Sequence, residues 1–161
     1  MIKMKELLAI ATAILLLVML RSKKLKGDET VYDELIILKS NKYSLDPAMV
    51  KATIKVESDF DPQAKNPKDP SYGLMQITPG LAYDYGLLTR TSPLSFNEEV
   101  LLFNPSNNID VGCWNLSRLS KKYQSDVAIQ MYNVGETGYL SGKRASSYLN
   151  KVKSYIEKYR G

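Results

Sequence analysis

The chain has 161 residues, enough for one domain and at most an appendage, and its 44% hydrophobic and 24% charged residues are the balance of a globular protein. It contains no histidine and one cysteine, which excludes Ser-His and Cys-His nucleophile pairs, histidine metal sites and any internal disulfide. Its net charge of +5 leaves acid–base chemistry to carboxylates, lysines and eleven tyrosines.

The charge is unevenly placed. Residues 1–30 hold six Lys/Arg against three acids, and the remaining residues hold 16 against 14. The body has no dense basic run and no nucleic-acid motif, so no nucleic-acid partner is expected. Residues 7–20, LLAIATAILLLVML, are apolar except for Thr12. That length suits a signal-peptide core and is short for a membrane span. No small-x-small cleavage site follows, and RSKKLK comes next. We read an uncleaved membrane anchor, with Lys3, Lys5, Arg21 and Lys23 snorkelling to lengthen its span. The heavier positive flank is C-terminal, which by the positive-inside tendency would hold the body in the cytoplasm. Residues 1–30 are thus anchor plus basic linker, and 31–161 are the folded domain.

From Val31 the pattern is helical, with Val31, Leu35 and Leu38 on one face. A second helix spans about 46–58, opened by Asp46-Pro47 as cap and first residue. At about 100° per residue, Lys51 and Lys55 define its polar side, and Glu57 points with the apolar stripe instead. Low polarity and the negative end of the helix dipole would both push its pKa upward. A carboxylic acid still protonated near neutral pH is a general acid, although a helix-terminal glutamate can also bend back to water. Residues 59–72 hold three prolines and several turn formers and read as loop, with 72–78 the one candidate for extended structure. Pro79 opens a short helix that Gly86 ends. Residues 87–96 read as loop. Two helices follow, split at Asn104-Pro105, with Ile109, Trp114, Leu116 and Leu119 on the apolar side of the second and Cys113 a buried apolar residue. Ser125 to Asn133 is helical, Gly138 to Gly142 is loop, and residues 145–160 form a last helix rich in tyrosine. The class is mainly α.

Three short motifs recur in a telling order. Glu57-Ser58-x-Phe60-x-Pro62-x-Ala64 comes first, Gly73-Leu74-Met75-Gln76-Ile77 second, and Tyr132-Asn133-x-Gly135 last. Between them lie Asn108, Ile109 and Gly112, and after them Tyr148, Lys151 and Val152. Each alone reads as a turn or a helix end. Together they resemble the lytic transglycosylase (SLT) family of the lysozyme-like superfamily, over about residues 43–159. Met131 stands where that family usually has Ala, and Ala145-Ser146 where it often has Thr-Arg. The resemblance implies a lysozyme-like helical domain with a cleft. It implies cleavage of the β-1,4 bond between N-acetylmuramic acid and N-acetylglucosamine in peptidoglycan glycan strands. In that reading Glu57 protonates the glycosidic oxygen, then draws the proton from the sugar's own 6-hydroxyl to close a 1,6-anhydro ring. Ser58, Met75, Gln76, Tyr132 and Asn133 would line the cleft. Tyr132 or a tyrosine of the last helix would position the Glu57 carboxyl group, Tyr148 would bind substrate, and Gly73 would let backbone approach sugar. No metal or cofactor is implied. Two rivals stand beside it. A hydrolytic muramidase would recruit Asp59, Asp61 or Asp69 to activate water, and a non-catalytic wall-binding component would keep the cleft alone. The setting would be a cell envelope, facing the peptidoglycan, or a virion membrane.

Overall fold

The computed structural model describes residues 28–89 and 93–161. The proposed anchor at residues 7–20 lies outside the described residues. No helix among the described residues is long and apolar enough to cross a membrane.

Among the described residues, eight helices and a two-residue hairpin ladder follow one another: α1 (Asp33–Lys42), α2 (Pro47–Ser58), β1 (Lys65–Asn66), β2 (Ser71–Tyr72), α3 (Pro79–Tyr85), α4 (Phe96–Phe103), α5 (Pro105–Lys122), α6 (Ser125–Val134), α7 (Glu136–Leu140) and α8 (Ser146–Arg160). The domain is mainly α, as its sequence predicts. Polar residues set the helix starts. Asp46 accepts from the Ala48 amide at 2.8 Å, Thr78 from Leu81 and Asn104 from Asn107, each followed by proline in the first helical turn. Ser95 and Glu98 form a reciprocal capping box on α4.

Three expectations change. On α1 the buried line is Tyr32, Ile36 and Ser40, and Leu38 is exposed. Four consecutive apolar residues, 35–38, leave the phase of that helix open in sequence, and packing against α2 and α5 chooses it. The extended residues begin earlier than expected, with Lys65 opposite Tyr72 and Asn66 opposite Ser71, inside the stretch read as loop. Residues 136–140 form α7 although Gly138 lies within it. Glu136 secures that turn, binding Arg118 at 2.7 Å, Lys122 at 2.8 Å and the Tyr123 hydroxyl at 2.7 Å.

The main core gathers α1, α2, the 72–77 segment, α4 and α5 around Ile36, Ile54, Phe60, Leu74, Met75 and Ile109. Each such fully buried side chain contributes about 1.5–3 kcal/mol. A second cluster joins α2 to α6 and α8 through Ala52, Ile129, Val152 and Ile156. The α2–α8 packing is the most extensive helix pairing in the fold, and it fixes the last turn of α2 against the first turns of α8. The C-terminal end of α8 is tied by Arg160 to Asp46, the cap of α2, at 2.6 Å and by Lys158 to Glu29, ahead of α1, at 2.9 Å.

Candidate active site

The chain leaves α2 by two successive left-handed residues, Asp59 (φ 52°) and Phe60 (φ 60°). A bulky residue in that region is strained, and here burial of the Phe60 ring in the core holds it. The reversal leaves Glu57 and Ser58 at the end of α2, with Ser58 facing the returning 73–76 segment. The Ser58 hydroxyl donates to the Leu74 carbonyl at 2.8 Å, which ties the two together.

That segment is built from within. Gly73 has φ 72°, and a side chain there would overlap Asn108. Gln76 also has positive φ (48°). Its amide donates to the Ala64 and Gly73 carbonyls at 3.2 and 3.0 Å, and its carbonyl oxygen accepts from Ser71 at 2.7 Å. Met75 is fully buried, its sulfur lying where a Gly112 side chain would be. The Met75 amide donates to Asn108 Oδ1 at 2.7 Å, and Asn108 Nδ2 donates to the Tyr72 and Leu102 carbonyls at 2.7 and 2.8 Å. One buried side-chain amide thus satisfies three backbone groups. The Met75 carbonyl accepts from the Tyr132 hydroxyl at 2.8 Å.

Glu57 sits half-buried against α8. The Tyr148 hydroxyl donates to its Oε1 at 2.6 Å. Among the described residues no group hydrogen-bonds Oε2. Burial raises the Glu57 pKa to about 7, and the Tyr148 hydrogen bond, which favours the carboxylate, opposes only part of that rise. Burial and the nearby Glu57 charge keep the Tyr148 and Tyr132 hydroxyls protonated well above the usual range. The first turn of α8 is held by the Ala145 amide, which donates to Gln130 Oε1 at 3.2 Å.

Glu57 opens into a depression of about 440 Å³ lined also by Val56, Asn133, Arg144, Ser146, Ser147, Tyr148 and Lys151. Asn133 also lines a neighbouring depression of about 330 Å³ with Asp69, Gln76, Thr78, Arg118 and Tyr132. Asp69 and Thr78 lead on to a third of about 540 Å³. The three adjoin through these shared lining residues and together form a groove. The residues singled out in the sequence gather here, with different parts. Glu57, Tyr148, Asn133, Gln76 and Tyr132 line the groove, while Met75, Gly73 and Ser58 build the segment behind it. The tyrosine that holds the carboxyl group is Tyr148 of the last helix, and Tyr132 holds the Met75 carbonyl instead. Asn108 entered the sequence reading as a motif match only. Its signal was available: a polar residue beside Ile109 on the apolar side of α5.

A profile of the "Transglycosylase SLT domain" family matches residues 34–155. The chain belongs to this family. Among curated relatives of the SLT domain, it is 34% identical over 108 residues to membrane-bound lytic murein transglycosylase E of Buchnera aphidicola subsp. Acyrthosiphon pisum, covering 66% of this chain and 47% of that one. It is 30% identical over 135 residues to membrane-bound lytic murein transglycosylase C of Photorhabdus laumondii, covering 75% and 37%. The chain therefore spans half or less of the length of these relatives. Among solved structures, the lytic transglycosylase Slt of Pseudomonas aeruginosa, an inactive mutant, superposes with a TM-score of 0.56 at 21% identity, covering 79% of this chain and 22% of that one. The 70 kDa soluble lytic transglycosylase of Escherichia coli gives 0.57 at 20%, with the same coverages. These likenesses bear on the SLT fold.

Proposed function

We propose that this SLT domain is a peptidoglycan lytic transglycosylase that cleaves the bond between N-acetylmuramic acid and N-acetylglucosamine without water. The observation that carries the reading is Glu57: one carboxyl group whose pKa burial raises to about 7, held by Tyr148 through Oε1, with no hydrogen bond from the described residues at Oε2. Oε2 gives its proton to the glycosidic oxygen as the bond from that oxygen to the anomeric carbon breaks, the departing sugar leaves with a free hydroxyl, and Tyr148 stabilises the resulting carboxylate through Oε1. The same oxygen then takes the proton of the 6-hydroxyl as that oxygen closes onto the anomeric carbon. A pKa near the working pH suits a group that acts first as acid and then as base.

Among the described residues, the lining of the Glu57 depression contains no second acid. A hydrolase of the ordinary kind needs one to activate water or to act as nucleophile. Of the acids considered for that task, Asp59 is ion-paired to Lys55 and largely exposed, and Asp61 accepts from the Gln63 amide. Asp69 lines the next depression. The relatives' names supply the substrate class, murein, and favour an envelope setting with residues 7–20 as the membrane anchor. A virion membrane is the alternative setting, and it would relieve the charge conflict around that anchor.

The test is digestion of purified peptidoglycan by the full-length chain in detergent, wild type beside Glu57→Gln, read by mass spectrometry. Anhydromuramyl products from the wild type alone are expected. Reducing-end products would move the assignment to a hydrolase, and no release by the wild type would leave a binding component.

A further inference from the structure

The charge around Glu57 is unbalanced. Arg144 and Lys151 line its depression, and among the described lining residues the one acid is Glu57 itself. The other described arginines are matched, Arg118 by Glu136 at 2.7 Å and Arg160 by Asp46 at 2.6 Å. Arg144 instead donates from one nitrogen to the Tyr139 and Lys143 carbonyls, at 2.9 and 2.8 Å, and stacks 4.1 Å from the Tyr139 ring centre. These contacts fix the guanidinium without neutralising it, and they leave its other donors for a ligand. Lys151 lies three residues beyond Tyr148 on α8, and no described carboxylate pairs with it. A pre-positioned Arg fork beside a lysine is a carboxylate-binding arrangement.

We propose that Arg144 and Lys151 bind a carboxylate carried on the lactyl arm of the muramic acid residue held at Glu57. This deepens, and rests on, the peptidoglycan reading above. Two sources present that chemistry: a carboxylate of the stem peptide, or the lactyl carboxylate itself once the stem has been removed. The site makes these residues specificity determinants that select acidic over neutral glycan.

The test measures binding by calorimetry, with full-length Glu57→Gln in detergent as a non-cleaving parent. Three soluble muroglycan probes are compared: one with intact stems, one after amidase treatment, and one with its carboxyl groups converted to amides. The parent is expected to bind at least one carboxylate probe about tenfold more tightly than the amidated probe, the size of one charge-assisted interaction. Adding Arg144→Gln or Lys151→Gln removes most of that preference and leaves the amidated probe unchanged, which also shows the groove intact. Arg144→Lys restores part of it. Lys121→Gln, the same charge change outside the groove, alters nothing. Which carboxylate probe loses affinity identifies the source. Equal binding of all three probes by the parent overturns the proposal, as does equal weakening of the amidated probe by the substitutions. If no probe binds, the peptidoglycan reading falls and this site with it.

Discussion

Replacing Glu57 by Gln should stabilise the protein, and only at the alkaline end. In the folded state burial raises the Glu57 pKa from 4.5 to about 7. The sign follows from proton counting. Between those values the folded state holds a proton that the unfolded chain has released, so stability falls as pH rises. The stability is fully present below about pH 4.5 and is lost as pH passes through about 7. At 1.36 kcal/mol per pKa unit, this shift corresponds to about 3 kcal/mol. Gln cannot ionise, and its amide oxygen can still accept from Tyr148. The gap between variant and wild type should therefore widen by about 3 kcal/mol from pH 4 to pH 8, other groups cancelling in the difference. Guanidinium unfolding of the full-length chains, followed by the fluorescence of the single tryptophan, Trp114, measures it. Parallel stability–pH curves for the two proteins would refute the claim that Glu57 is held in a desolvated site.

The remaining predictions concern its supports. Tyr148→Phe removes the hydrogen bond that favours the carboxylate, so the alkaline limb of the kcat/KM profile should move to higher pH, with kcat falling roughly tenfold. A profile unchanged in position would mean that Tyr148 does not touch the working form. Asn108→Ala strands one amide and two carbonyls in the core and should cost about 3 kcal/mol or more in denaturant unfolding. A loss under 1 kcal/mol would mean that water replaces the side chain. Gly112→Ala forces the Met75 side chain to move and should cost about 1–3 kcal/mol, and a neutral result would show slack in that contact.

Much of this was readable in the chain because it is local. Asp46-Pro47, Thr78-Pro79 and Asn104-Pro105 each carry their own helix start, and Gly86 its own stop. Glu57 was visible as a carboxylate on an apolar helix face, a mismatch that needs only the helical period. What stayed hidden depends on neighbours distant in sequence. The phase of α1 is decided by what Ile36 meets, and α7 by Glu136 reaching back to Arg118, Lys122 and Tyr123. The motif residues illustrate the same limit. Gly73, Met75 and Gln76 read as one cleft-lining run, yet Met75 turns inward over Gly112 and Gly73 abuts Asn108, contacts that no spacing within the run reveals. Arg144 gave no sign at all. In sequence it is one basic residue in a basic stretch, and only its place beside Glu57, without an acid, sets it apart.

If one carboxyl group performs both proton transfers, no water enters the product. Digestion of peptidoglycan by the full-length chain in ¹⁸O-labelled water tests it directly. Anhydromuramyl ends carrying no label, from the wild type and not from Glu57→Gln, are the predicted result. Labelled reducing ends formed at the same rate as chain cleavage would contradict it.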